Sequence, residues 1–343
     1  MIPRSNLVRV LIVVALLGLA VGMLWWQGPE WGQVADAFRV VEWWWIGAAI
    51  GLNLVSAVSR AQAWRTVVNQ ALPDGAPPFK RVFSAFGVGL LANAILPART
   101  GELARVAVLT RRLPRGRGYT ATLLGTVFTH RLFDVVPALL LVVYVLLTAR
   151  IPHWALTSLA IAAAIGGILV VVALVTSRLR KPVVDELSRL RRLLAMARLG
   201  LDVLRSPVSA TVAIAFQCLG WVLQLLAVWI AMRAFAIDAP LPAAGLVLLL
   251  MNVATIFPLW PGNVGLLQAA VALPLVSYGV AYTTGFAYGL GLQMLEMSVG
   301  VGVGLFFLAR EGLSFGMLKR MPEHADAQLR VVTEDEPARA RSA

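Results

Sequence analysis

Cysteine is nearly absent from this chain, Cys218 being the single one in 343 residues. One cysteine excludes an intrachain disulfide framework and any cysteine-based zinc cluster. Histidine is almost as scarce, with His130, His153 and His324 the complete set. They stand far apart and build no cluster of His, Cys and carboxylate at metal-ligand spacing, so neither a metal nor another cofactor is expected. Charge is thin too, at 14% of residues, against 59% hydrophobic residues and a mean hydropathy of +0.80. That balance excludes a soluble chain and describes an all-α polytopic membrane protein. No polar stretch exceeds about 35 residues, too short for a separate soluble catalytic domain.

The charge that is present leans one way, with Lys plus Arg at 30 against Asp plus Glu at 17. The positives sit between apolar runs, as in cytoplasmic loops, and not on a nucleic-acid face. The first run, Val10 to Trp26, follows Arg4 and Arg9 and reads as a retained helix leaving the cytoplasm. A loop with Glu30, Asp36 and Glu42 is then outside. The second helix, Trp43 to Val58, returns to an inside loop holding Arg60, Arg65, Lys80 and Arg81. Val82 to Leu96 is apolar, yet basic residues flank both its ends. A re-entrant hairpin resolves this, with a turn at Pro97 to Gly101 and a second limb from Glu102 to Thr110. Irregular backbone at membrane depth survives only beside protein or a polar cavity, so the hairpin predicts a cavity.

Tyr119 to Thr148 reads as one long tilted helix going out, and Trp154 to Thr176 comes back. Between Ser177 and Ser206 eight basic residues and spaced leucines suggest an amphipathic helix on the inner leaflet. Pro207 to Phe235 crosses outward. Leu241 to Phe257 and Asn263 to Val280 flank Pro258 to Gly262 as a second, uncharged hairpin entered from outside. Ala281 to Ala309 crosses inward, and residues 310–343 form a disordered cytoplasmic tail.

The order helix, helix, hairpin, long helix thus occurs twice, in opposite senses. Residues recur at a near-constant spacing: Asn93 and Asn252 are 159 apart, Gly101 and Gly262 161, Asp134 and Glu296 162, and Tyr119 and Tyr282 163. The expected fold has about six full transmembrane helices plus two re-entrant hairpins in an inverted repeat, over a membrane domain at 1–309. The first repeat spans about 7–150 and the second about 154–309. Both termini are expected in the cytoplasm, the membrane being a bacterial inner membrane. Inverted repeats with broken helices put a substrate site near the midplane, where the breaks meet.

Candidate site residues follow from that geometry. Arg131 and Asp134 lie i, i+3 on one helix face, where an unpaired charge costs several kcal/mol. Either they form a structural ion pair, or Arg131 grips an anionic headgroup that Asp134 orients. Glu296 has no cation in its own helix and is the candidate titrating group. Around the first break, Arg99 and Arg105 offer forked donors to a phosphate, and the limb beginning at Glu102 offers free N–H groups. Alternatively the arginines, Arg60 and Arg65 included, snorkel to lipid phosphate. Asn93, Asn252, Gly262 and Gln268 complete the set, serving a ligand or freed backbone groups equally well. Gly300, Gly302 and Gly304 form a helix-packing face.

Taken together, Arg60 to Arg65, Asn93 to Glu102, Arg131-x-x-Asp134 and Pro261-Gly262-Asn263-Val264-Gly265 resemble the flippase-like transmembrane family, itself similar to the membrane half of lysylphosphatidylglycerol synthases. The resemblance covers roughly residues 10–310 and departs from the family at His130 and Gln268, where acidic residues are common. It implies a protein that moves an anionic or isoprenoid-phosphate-linked lipid between leaflets. The aminoacyl-transferase domain of the bifunctional synthases is not expected in so short a chain. Two other readings stand beside it: an enzyme or enzyme subunit of envelope-lipid assembly, and a proton-coupled carrier of a small solute. The expected partner is membrane lipid, with a homo-oligomer or an envelope-biosynthesis protein left open.

Overall fold

The computed structural model describes residues 30–72, 75–96, 101–113, 119–153, 156–157, 206–256 and 263–317, together with Gly18. The expected first helix, nearly all of the run after Trp154, the basic loop, the two hairpin turns and the tail beyond residue 317 lie outside these residues. No strand is found among the described residues. The helices are α1 (Trp31–Arg39), α2 (Trp43–Ala71), α3 (Phe79–Ile95), α4 (Gly101–Thr110), α5 (Tyr119–Phe133), α6 (Val135–Thr148), α7 (Pro207–Ala234), α8 (Leu241–Ile256), α9 (Leu266–Val276) and α10 (Tyr282–Arg310).

Among the described residues three stretches are long and apolar enough to cross a membrane: Thr122–Thr148 through α5 and α6, α7, and α10. Their most apolar windows are only 22%, 28% and 33% buried by protein, so most of that surface is left for lipid. The bent pair α1 and α2, at 87°, makes a fourth if counted as one span. In α1, Val34, Ala37 and Phe38 turn inward at helical spacing while Asp36 and Arg39 are exposed, so the expected outside loop holds a short amphipathic helix. Trp31 and Phe38 dock edge-on against Phe286 and Phe235.

Helix α2 runs well past Val58. Arg60 and Arg65 therefore lie inside a 29-residue helix and not in a loop. Serine, alanine and glycine allow α2 to approach α7 closely along its whole length, the close small-residue contact that substitutes for hydrophobic drive in lipid. The Glu42 N–H bonds the Ala234 carbonyl at 3.0 Å, Ser56 Oγ the Gly220 carbonyl at 2.7 Å, Ser59 Oγ the Phe216 carbonyl at 2.7 Å, and Gln70 Nε2 the Ser209 Oγ at 2.7 Å. Rising numbers on one helix meet falling numbers on the other, so α2 and α7 are antiparallel. Each such bond contributes on the order of 1 kcal/mol.

The α5–α6 span is continuous in direction but broken in its ladder at Asp134. Pro137 has no N–H for the Phe133 carbonyl. The Asp134 N–H bonds Arg131 O at 3.2 Å, three residues back, so the turn tightens where the charges sit. The single long helix expected from Tyr119 to Thr148 is thus two helices joined at an acidic residue.

Helices α3 and α4 pack against each other through glycine: a Cβ on Gly101 would lie 2.1 Å from the Gly89 carbonyl oxygen. Lys80 and Arg81 at the start of α3 and Arg112 just past α4 share one end of the bundle with Glu311, which accepts from Ser84 Oγ at 2.7 Å and Arg112 Nε at 2.8 Å. Helices α8 and α9 start and finish at the opposite end, where Ser277 Oγ bonds the Arg150 carbonyl at 3.3 Å and Trp229 Nε1 the Ala239 carbonyl at 3.0 Å. Besides a small cluster at Val67, Phe133, Ala210 and Ala213, two large apolar cores form among the described residues. One gathers α6 to α9 and the first half of α10; the other gathers α2 to α5 and the end of α10. Helix α10 feeds both, through Phe286 to Leu295 and through Phe307 and Leu308, leaving Glu296 to Gly300 between them.

Candidate functional site

Between the two cores lies a cavity of about 380 Å³. Its wall carries Arg60, Asn93, Glu102, Arg105, Arg131, Asp134 and Glu296, so the fold gathers seven residues that the sequence had marked over a span of more than 230 positions. Arg131 lines it and keeps 51% of its side chain exposed, so the cavity reaches the protein surface. Asn252 and Gln268 are elsewhere. Asn252 Nδ2 returns to the Leu248 carbonyl of its own helix at 2.8 Å. Gln268 is fully buried, accepts the Gly265 N–H at 2.6 Å and donates to Gln293 Oε1 at 2.6 Å, which fixes the start of α9 against α10. Arg99 and Gly262 fall outside the described residues.

The cations and anions are organised in two groups. In the first, Glu102 is shared by Arg105, through an ion pair, and by Arg131, whose Nε reaches Glu102 Oε1 at 2.9 Å. Arg131 Nη1 also reaches Asp134 Oδ2 at 3.1 Å. Asp134 Oδ1 accepts from Trp221 Nε1 at 2.9 Å and from Gln217 Nε2. The carboxylate is thus held by a cation and two neutral donors, as a charge in low dielectric requires. Arg105, 3% exposed, lies 4.6 Å from the Trp64 ring centroid and 5.8 Å from that of Phe86, a cation–π setting that offsets part of its desolvation. Trp64 is oriented in turn by its Nε1 bond to Thr126 Oγ1 at 3.1 Å. Asn93 supplies the cap of α4: its Oδ1 accepts the Gly101 N–H at 2.9 Å, which aligns Glu102 and Arg105 one turn on.

The second group is sparser. Arg60 Nη2 donates to Gln224 Oε1, and Gln224 Nε2 donates to Glu296 Oε1 at 3.2 Å. An amide therefore stands between a cation and a carboxylate. Among the described residues no carboxylate lies within 4 Å of the Arg60 guanidinium, which sits 5.4 Å from the Trp221 ring centroid with its Nε buried and unpartnered. His130 closes the space behind. Its Nε2 meets the Arg60 carbonyl at 3.1 Å, and since a carbonyl accepts, Nε2 carries the hydrogen and Nδ1 is a buried acceptor without a partner.

Sequence reasoning had no place for Gln217, Trp221 and Gln224. They fall at i, i+4 and i+7 on an otherwise apolar helix, and that single polar stripe was the available signal. Arg60 on α2 meets that stripe at Gln224 and Trp221. Among the described residues no group of three or more His, Cys, Asp or Glu side chains is placed to hold a metal ion.

A helical bundle with lipid-facing spans and a charged cavity between its cores defines a multi-pass membrane protein with an internal polar site. Comparison with known families agrees: the lysylphosphatidylglycerol synthase TM region matches residues 6–304, and the chain belongs to that family. No curated protein and no solved structure matches it.

Proposed function

We propose that this protein carries a lipid with an anionic headgroup, a phospholipid or an isoprenoid phosphate, between the leaflets of a bacterial inner membrane. The observation that carries the proposal is the cavity itself. Three arginines line a space of about 380 Å³, one of them without an ion-pair partner among the described residues and one half exposed at the opening. That volume suits a phosphate-bearing headgroup, with the acyl or prenyl chains left in lipid. Forked guanidinium donors match phosphate oxygens. The family takes its name from a lysylphosphatidylglycerol synthase, and a phospholipid product there supports a lipid cargo here.

The transport reading rests on an inverted repeat. Helices α2, α3, α4 and α5 have counterparts α7, α8, α9 and α10, each beginning 162–165 residues later. The antiparallel seam of α2 and α7 supports opposite senses for the halves, and it meets itself at Ser56 with Gly220 and Arg60 with Gln224, both pairs 164 apart. Each short-helix pair enters and leaves at one end of the bundle, and the two pairs use opposite ends, which supports two re-entrant hairpins. We read the described helices within a membrane domain of about six full spans over 1–309, in repeats 7–150 and 154–309, with both termini cytoplasmic.

The test is flipping of fluorescent phosphatidylglycerol in vesicles that hold the purified protein, followed by quenching of the outer leaflet. Wild type is expected to expose the inner pool, and Arg60→Ala with Arg131→Ala to lose at least tenfold in rate. A double variant that stays folded and flips at the wild-type rate removes these arginines from the site.

A further inference from the structure

Asp134 and Glu296 occupy corresponding places in the two halves, both line the cavity, and their surroundings differ sharply. Asp134 meets one cation and two neutral donors. Glu296 meets one neutral amide, Gln224 Nε2 at 3.2 Å. Paired carboxylates in contrasting settings divide the labour, one remaining an anion and the other exchanging a proton. The same Gln224 holds Arg60 by its carbonyl oxygen, so it keeps apart two groups of opposite charge that are otherwise free to pair.

We propose that Glu296 is a proton-exchanging group coupled through Gln224 to the occupancy of Arg60, so that the anionic lipid and one proton are taken up together. The inference rests on the anionic-lipid reading of the cavity. An ionised Glu296 competes with the lipid phosphate for Arg60. A proton taken from water at the open side of the cavity converts that carboxylate to a neutral acid and removes one of the two carboxylates, Asp134 being the other, whose charge acts on Arg60, which leaves the guanidinium more open to the phosphate. Release of the lipid returns the proton. Binding linkage is reciprocal, so the headgroup favours the proton as much as the proton favours the headgroup.

The other groups around Glu296 fit this assignment. Arg60 on α2 is the cation concerned. Glu102 and Arg105 on α4 and Arg131 and Asp134 beside α5 are tied to one another. His130 on α5 is held at Arg60 O. On α10 itself Tyr288 donates to the Val228 carbonyl at 2.7 Å. Among the described residues α3, α7 and α8 bring amides, hydroxyls and apolar groups to the cavity wall but nothing titratable, and α9 brings none of its residues there.

The experiment is titration calorimetry of the purified full chain with dioctanoyl phosphatidylglycerol, whose phosphodiester does not titrate near neutrality, in buffers of different ionisation enthalpy. Wild type is expected to take up close to one proton per probe, and its Kd to rise about tenfold per pH unit on the alkaline side. Glu296→Gln should bind with no uptake and a flat pH profile. Gln224→Ala, which lets Arg60 and Glu296 pair directly, should bind weakly in alkali and recover on acidification. Binding without proton uptake in wild type, or uptake that persists in Glu296→Gln, overturns the coupling while leaving the site intact. Binding unchanged in Arg60→Ala overturns the site reading and the coupling with it.

Discussion

Gly101→Ala is expected to pry the first helical hairpin apart. A Cβ at this position would stand 2.1 Å from the Gly89 carbonyl oxygen and 2.5 Å from Asn93 Oδ1. Real Cβ contacts with a carbonyl stay above about 3 Å, so the limbs must part by roughly 1 Å, and backbone, unlike a side-chain tip, cannot swing aside. Parting also stretches the 2.9 Å bond from the Gly101 N–H to Asn93 and displaces Glu102, which holds both Arg105 and Arg131. Overpacking costs about 1–3 kcal/mol and a lost cap about 1 kcal/mol, giving about 2–4 kcal/mol together. Gly302→Ala is the control, since nothing lies within 4 Å of a Cβ there. Thermal unfolding in detergent, followed by loss of folded protein on a sizing column, should place Gly101→Ala clearly below wild type. Gly302→Ala should match wild type. Equal midpoints for the two alanine variants would refute the backbone-contact argument.

Three smaller changes read other parts of the structure. Asp134→Asn removes the negative charge and one of the two oxygens that serve Arg131, Gln217 and Trp221, and should cost about 1.5–3 kcal/mol in the same unfolding assay, together with most lipid flipping. Gln268→Met deletes the cap of α9 and its tie to Gln293, so it should cost about 1–3 kcal/mol of stability and lower the unfolding midpoint, while probe binding per folded molecule stays at the wild-type level. Arg112→Ala breaks a pair whose arginine is 50% exposed; the loss should stay below about 1 kcal/mol and shrink further in high salt.

Much of the fold was legible because lipid imposes a simple rule on long apolar runs. Tyr119 begins a helix where the apolar run put it, and α7 to α10 follow the expected bounds to within a few residues at most ends. The error at α2 has a clear cause. Positive charge was taken to mark the end of the membrane at Val58, whereas Arg60 faces an internal cavity, and an arginine with an amide and an indole for company can continue a helix. The break at Asp134 was readable from Pro137, three residues on, and was hidden by the uninterrupted hydrophobicity around it. At the site, charges were found because they are rare in an apolar chain. Their neutral partners were missed because glutamine and tryptophan are unremarkable until one knows which helix they face. Asn252 matched the repeat by spacing yet serves its own helix, since a polar side chain first satisfies the nearest backbone group.

The described cavity wall sets Arg60, Arg105 and Arg131 against Glu102, Asp134 and Glu296, so with His130 neutral it carries no formal charge before a guest arrives. A monoanionic headgroup entering alone would therefore travel as a bare charge through the electric field of the membrane. At 100 mV that passage is worth about 2.3 kcal/mol, roughly fifty-fold in the distribution between leaflets. With a proton aboard Glu296 the loaded site is neutral again and voltage does no work on it. On the proposed lipid-carrier reading, the balance of three against three decides whether membrane voltage or the proton gradient would set the distribution of the lipid between leaflets.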